Sequence, residues 1–331
     1  MSAPLPSIVI QGTGAFCPPK VLSNDDLAKR VDTSDEWIRT RTGIQERRIA
    51  EDKTTSQMAV EAAKQALQNA NLSAQDIDLV IVSTITPDMP FPSTAALVQA
   101  QLGIPAVACF DLEAACSGFL YALEVGTQML RSGNYKNALL IGAEKMSSII
   151  DWEDRNTCVL FGDGAGAVVL SKTEEADTGV LGTLLGADGS KGDLLCMPGS
   201  GSSCPPTQTS LEQRQHFLKM NGREIFKSAV RVMEQATCDI LKQHQLSTSD
   251  VACIVPHQAN IRIFETLAER LELPLDRFFM NLESYGNTSA ASIPIALHEA
   301  WEQNRLKPGD LILLVAFGGG LTWGSSLIRW Q

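Results

Sequence analysis

Cys116 stands in the stretch FDLEAACSGF, between small residues and a glycine, where an apolar strand-like run gives way to a helical pattern. A thiol in such a place packs as a small hydrophobe or reacts as a nucleophile. A helix N-terminus favours the thiolate through its dipole and free amides and is expected to lower the pKa of Cys116. Ala114, Ala115, Ser117 and Gly118 leave room for a substrate to approach. His257, in IVPHQAN, directly follows a buried strand, at the carboxyl end where α/β folds assemble their sites; a structural histidine is the plainer reading. Asn287, in YGNTSAAS, follows a glycine and precedes a helix, so it serves as a cap or as an N–H donor to a substrate oxygen. In FGGGLTWG, the successive Gly318, Gly319 and Gly320 make a turn or bring backbone amides close to a ligand. Taken together these are a nucleophile, an imidazole, a neutral amide and a set of amide donors.

Such groups are far apart in sequence, and the elements that must gather them form a pattern. Val-, Ile- and Leu-rich runs alternate with helical stretches: SIVIQGTG, a helix near 55–70, DLVIVSTIT, a helix after 92, VACFDL, a helix from 116, then NALLIGAE. Nearly continuous apolar strands separated by helices predict an α/β fold with sheets buried on both faces. The pattern then recurs. Residues 56–84 resemble 228–257, the segment from Cys116 resembles that from Ser289, and FGDGAGAVVL resembles FGGGLTWGSSLI. Two copies of one unit predict two halves, 1–175 and 176–331, related by a pseudo-twofold axis. Equivalent loops meet at such an axis, which is how Cys116 of the first half would meet His257 and Asn287 of the second. Residues 189–217, rich in Gly, Ser and Pro, are expected to run irregularly over the junction.

Composition excludes several functions. The net charge of −11 disfavours sequence-independent binding to nucleic acid or an anionic membrane, so an acidic partner needs a local basic patch. No run approaches the roughly 18 unbroken apolar residues of a membrane span. The start, MSAPLPSIVIQGTG, lacks a basic region before its apolar run and reads as a first strand, which predicts a cytoplasmic protein. Eight cysteines without CxxC pairing argue for reduced thiols and no metal site. The glycines of GTGAFC and GDGAGA do not complete a dinucleotide fingerprint, so no nicotinamide is expected.

The segments DTSDEWIRTRTGIQERR, AACSGF, FGDGAGA, VPHQANIRI, GNTSAAS and AFGGGLTWGS resemble, in order and along essentially the whole chain, the signatures of the β-ketoacyl-acyl carrier protein synthase III family. The resemblance implies a thiolase-like fold, two pseudo-twofold-related α/β halves in a five-layered α-β-α-β-α arrangement. It implies that Cys116 takes the acyl group of a coenzyme A thioester, with the N–H groups of Cys116 and Gly319 as oxyanion hole. Malonyl-acyl carrier protein then loses CO2, and His257 and Asn287 stabilise the enolate that attacks the acyl-cysteine. No cofactor is implied, because the acyl-CoA and the acyl carrier protein are substrates. An acyl-CoA-using condensing enzyme or acyltransferase of specialised metabolism is the alternative.

By the same resemblance Trp37 stacks on adenine, with Arg155 on its other face and Arg41 near the phosphates. Gln258, Ala259, Asn260, Ile261 and Arg262, with Lys227 and Arg270, would meet the carrier protein; Glu269 stands where relatives often carry a further lysine. Phe91 in PDMPFPS would cross a homodimer interface and close the partner's acyl pocket, suiting a short primer such as acetyl.

Overall fold

Two sheets divide the chain between Thr173 and Gly179 in a computed structural model that describes residues 5–331. The first sheet contains β1 (Ser7–Phe16), β2 (Leu79–Ser83), β3 (Ala108–Leu112), β4 (Asn137–Lys145) and β5 (Asp163–Thr173), in the order β1-β5-β4-β2-β3. The second contains β6 (Gly179–Ala187), β7 (Cys253–Pro256), β8 (Leu311–Gly318) and β9 (Thr322–Arg329), in the order β7-β8-β9-β6. Pairing repeats between them: β2 runs parallel to β4, and β7 parallel to β8, while the remaining inner pairs are antiparallel. The first sheet's edge strand β3 has a reduced counterpart in the second, a single parallel bridge between Ile254 and Phe278.

Helices make the other layers. On the outer face of the first sheet lie α1 (Thr55–Asn69), packed on β1, β4 and β5, and α2 (Thr94–Leu102), packed on β2 and β3. Between the sheets run α3 (Gly118–Arg131) and α5 (Ser292–Glu302), while α4 (Gly222–Gln243) covers β8 and β9 from outside. The order is therefore α-β-α-β-α. Sequence dictates these places. In α4 the apolar residues Ala229, Val230, Met233, Ala236, Ile240 and Leu241 recur at helical spacing and, with Thr237 on the same face, form the buried stripe. In α5, by contrast, Ile293, Pro294, Ile295, Ala296, Leu297, His298 and Ala300 are all buried, as a helix enclosed on every side requires.

The glycines resembling a nucleotide motif have a packing role. A Cβ on Gly166 of β5 would come within 2.5 Å of the Ile295 nitrogen, so the missing side chain lets α5 lie directly on the sheet. Gly14 does the same for the outer helix α1.

The repeat also corrects the expected alignment by one residue. Three-residue turns at Ala115–Ser117 and Ser289–Ala291 precede α3 and α5, and each opens on a residue with positive φ, 45° at Ala115 and 49° at Ser289. Cys116 therefore corresponds to Ala290, not to Ser289. Segment-to-segment similarity among small residues is blind to such a slip; backbone conformation is not.

Candidate active site

Neither α3 nor α5 has a side-chain cap, so the backbone amides at both helix starts are left facing the junction between the halves. Cys116 sits on the first of these turns and is buried. Gly318, at the end of β8, passes so close that a Cβ there would lie 2.7 Å from the Cys116 nitrogen. Ser117 Oγ donates to the Thr322 carbonyl (3.1 Å), and Thr322 Oγ1 donates to the carbonyls of Ala114 (2.8 Å) and Gly319 (2.9 Å), stitching the two loops together. The N–H groups of Cys116 and Gly319 both favour the thiolate form of Cys116.

His257 extends β7 by one residue, its N–H donating to the Val315 carbonyl at 2.8 Å. Its Nδ1 is 2.7 Å from Ser292 Oγ, while the Gln258 N–H donates to the same oxygen at 3.4 Å. The Ser292 proton has the imidazole as its partner, so Nδ1 accepts and Nε2 carries the ring proton. Burial holds the His257 pKa down at about 3, and the ring is neutral. Asn287 is held as a one-residue strand against Phe161, donating to the Leu160 carbonyl and accepting from the Gly162 N–H. Its Oδ1 accepts from the Ser289 N–H at 2.8 Å, which leaves the NH2 group as the end available for a ligand. Cys116, His257 and Asn287 line one cavity of about 130 Å³ with apolar walls that include Phe226, Ile263 and Phe317.

The expected depression of the thiol pKa is absent. Burial pushes Cys116 up to about 12, outweighing hydrogen bonds from Ser289 and the two amides, and nearby Glu144 adds repulsion. Glu144, at the end of β4, is itself fully buried. Its carboxylate accepts from Thr86 Oγ1 (2.5 Å), Ile85 N–H (3.2 Å), Thr84 Oγ1 (3.2 Å) and Ser289 Oγ (3.0 Å). Burial nevertheless raises its pKa to about 7. Glu144, Ser289 and Ser292 escaped the sequence reading as site residues, although both serines lie in GNTSAAS and a lone acid ending an apolar strand is a recognisable signal.

Outward from the cavity, Leu160, Met220 and Gly222 are shared with a surface recess that contains Trp37. The Arg41 and Arg155 guanidinium carbons each lie 4.9 Å from the Trp37 ring. Arg223, which was not anticipated, lines the same recess, and Lys227, Asn260 and Arg262 continue its rim. A local basic rim thus exists on a chain of net charge −11. Ala259 and Asn260 line the inner cavity, Asn260 Oδ1 caps the following helix Ile261–Arg270 at the Arg262 N–H, and Ile261 packs on Gly43.

One surface expectation is corrected. Gln258 is 1% exposed and its amide is fully engaged by the Pro256 and Phe279 carbonyls and the Asn281 N–H, so it pins the loop and does not face a partner. Arg270 is paired with Glu234 at 2.6 Å and Lys227 with Glu224 at 2.8 Å. On the other side of Cys116 a larger cavity of about 590 Å³ is lined by Ile85, Pro90, Met146, Leu195, Met197 and Gly319. Leu195 and Met197 come from the irregular 189–217 segment, which does cover the junction. The Phe91 ring is 83% exposed and does not line this cavity. Among the described residues no helix is long and apolar enough to cross a membrane, and no cluster of potential metal ligands occurs.

Residues 110–189 match the family described as 3-oxoacyl-[acyl-carrier-protein (ACP)] synthase III, and residues 241–330 match its C-terminal counterpart. The chain is 53% identical over 323 residues to a β-ketoacyl-[acyl-carrier-protein] synthase III from Caldanaerobacter subterraneus subsp. tengcongensis, covering 97% of each chain. A protein of the same name from Roseiflexus castenholzii is 55% identical over 323 residues, with 97% and 98% covered. The crystal structure of 3-oxoacyl-[acyl-carrier-protein] synthase III from Aquifex aeolicus superposes with a TM-score of 0.92 at 52% identity, over 98% of this chain and 100% of that one.

Proposed function

The chain belongs to the β-ketoacyl-[acyl-carrier-protein] synthase III family, and from that premise we propose how its residues divide the reaction. The reaction is the decarboxylative Claisen condensation of an acyl-CoA primer with malonyl-acyl carrier protein, giving a 3-oxoacyl-acyl carrier protein and initiating type II fatty acid synthesis. Cys116 attacks the primer thioester, and the amides of Cys116 and Gly319 hold the carbonyl oxygen as it becomes negative. Coenzyme A leaves. Malonyl-acyl carrier protein then enters through the same cavity and loses CO2. The charge that develops on its thioester oxygen meets two neutral donors, His257 Nε2–H and the Asn287 NH2 group. A carboxylate in place of Asn287 would repel that oxygen.

One observation carries this reading: the nucleophile shares a cavity with two side chains whose acceptor atoms are already engaged, His257 by Ser292 and Asn287 by Ser289. The cavity's apolar walls suit an extended pantetheine arm, and Trp37 with Arg41, Arg155 and Arg223 at its mouth suits the nucleotide of coenzyme A. Arg262 and Lys227, beside that mouth, are the cations placed to meet an acidic carrier protein. The exposed Phe91 fits closure of a partner subunit's acyl cavity in a homodimer, with acetyl as the primer. On this reading the protein needs no cofactor and works in the cytoplasm.

Incubation with acetyl-CoA followed by peptide mass spectrometry is expected to place the acetyl group on Cys116, and Cys116→Ala to remove it. Label on another cysteine would overturn the assignment. A relative serving specialised metabolism would instead prefer other acyl-CoA primers over acetyl in a product screen with malonyl-acyl carrier protein.

A further inference from the structure

Cys116 lines two cavities at once, the one of about 130 Å³ that holds His257 and Asn287 and the one of about 590 Å³ on its other side. On the reading above the coenzyme A arm arrives through the first, so the acyl end of the primer lies in the second, where Gly319 also stands. The repeat shows what that second cavity carries. With Cys116 in register with Ala290, Asn287 is in register with Glu113, each three positions earlier. Their local bonds agree: the Ala115 N–H donates to Glu113 Oε1 at 2.9 Å, and the Ser289 N–H donates to Asn287 Oδ1 at 2.8 Å. In both turns the donor is the residue with positive φ. Asn287 lines the smaller cavity and Glu113 the larger. One turn, used twice, thus sets a neutral amide on one side of the nucleophile and a carboxylate on the other. Among the described residues no cation lines the larger cavity. Lys191, next to the lining residue Gly192, is paired with Asp188 at 3.3 Å, and Lys219, next to Leu218, lies 4.0 Å from Asp151. The wall's other acid, Asp111, has its two oxygens taken at 2.7 Å by the N–H groups of Thr94 and Ala95, so the start of α2 offsets its charge.

We propose that Glu113 is a specificity residue whose charge turns away acyl groups ending in a carboxylate, an inference that rests on the acyl-cysteine reading above. Both substrates of the condensation are thioesters, and Cys116 cannot tell them apart at the carbon it attacks. They differ at the far end of the acyl group, which is neutral in the primer and anionic in a malonyl group. A fixed anion in the acyl cavity reads that difference and disfavours loading of the extender in the primer's place. Glu113 is exposed, so its effect is a matter of degree and is weakened by salt.

The test uses reagents of like shape and unlike charge. Iodoacetate and iodoacetamide alkylate a thiol by the same displacement, so the ratio of their rates at Cys116, read by peptide mass spectrometry, reports charge near the sulfur and cancels any change in thiolate fraction. Glu113→Gln keeps an oxygen to accept from the Ala115 N–H and loses only the charge. It should raise the iodoacetate rate relative to the iodoacetamide rate about threefold or more at low salt, and about 1 M salt should bring the wild type close to the variant. Succinyl-CoA and butyryl-CoA differ by a carboxylate in place of the terminal methyl. The ratio of succinyl to butyryl groups on Cys116 should rise likewise in Glu113→Gln and further in Glu113→Lys. A Glu113 that merely supports the turn would change both members of each pair together, so either ratio remaining at its wild-type value in Glu113→Gln overturns the proposal. An alkylation ratio that shifts as expected in a protein forming no acyl-Cys116 from acetyl-CoA supports the charge effect of Glu113 while removing the acyl-cysteine reading.

Discussion

Ser292 Oγ stands 2.7 Å from His257 Nδ1 and anchors that ring nitrogen, turning Nε2 toward the cavity. With Nδ1 accepting, the imidazole can only donate into the cavity it shares with Cys116, and its low pKa keeps it neutral while doing so. A histidine arranged this way suits the proposed donation to an enolate oxygen. Asn287, with Oδ1 engaged by Ser289, is arranged alike. On the proposed reading both residues serve the second half-reaction.

Replacing His257 or Asn287 with Ala should cripple malonyl decarboxylation while leaving acetyl transfer to Cys116 largely intact. A preorganised oxyanion donor is worth roughly 3 to 4 kcal/mol, or about a hundredfold or more in rate. Acylation and decarboxylation are measured separately in single-turnover experiments. If Asn287→Ala blocks acylation as severely as condensation, the residue is a structural cap and not an enolate donor.

Trp37→Ala should raise the KM for acetyl-CoA about tenfold and leave the KM for malonyl-acyl carrier protein nearly unchanged, because only the former carries an adenine to stack between ring and guanidinium. Equal rises for both substrates would mean that Trp37 merely supports the cavity mouth.

Phe91→Ala should admit longer primers if the exposed ring closes a partner's cavity, each methylene newly accommodated being worth about 0.8 kcal/mol. The readout is the ratio of hexanoyl to acetyl turnover. An unchanged ratio places the end of the acyl cavity elsewhere.

Stability should depend on pH through His257 and Glu144, whose pKa values burial shifts in opposite directions because it disfavours the charged form of each. The folded pKa of His257 lies below its ordinary value of 6.5, at about 3, so its contribution is present above 6.5 and is lost as pH falls toward 3. Glu144 is raised from 4.5 to about 7, so its contribution is present below 4.5 and is lost as pH rises through 7. His257→Gln should therefore flatten the acid limb of a Tm-versus-pH curve, and Glu144→Gln the limb between 4.5 and 7. A His257→Gln curve that parallels the wild type below pH 6.5 contradicts the buried neutral imidazole.

That Cys116, His257 and Asn287 converge on one cavity is legible in the sequence, because each lies where an apolar strand or a glycine turn meets a helix, and the repeat explains how such loops meet. Glu144 and Ser289 were not, because their contact joins the end of β4 to a turn in the other half, and no periodicity records a pairing across 145 positions. Gln258 was misplaced for a related reason. Its polarity suggests a surface, but a buried amide with every partner supplied is equally stable. The pKa of Cys116 was misjudged because the amides of a helix start are visible in a sequence and the depth of burial is not.

Gly318 and Gly319 enter the site from β8 and the turn to β9, near the far end of the chain, and press on a cysteine made some two hundred positions earlier. During synthesis the first half emerges with Cys116 present but with neither the opposing amide, the imidazole nor the Asn287 donor beside it. The proposed site is thus complete only when the last strands close the second sheet. A chain that stops before β8 lacks the Gly318 and Gly319 that pack against the Ala115–Cys116 turn, so the proposed oxyanion hole forms only with the end of the second half.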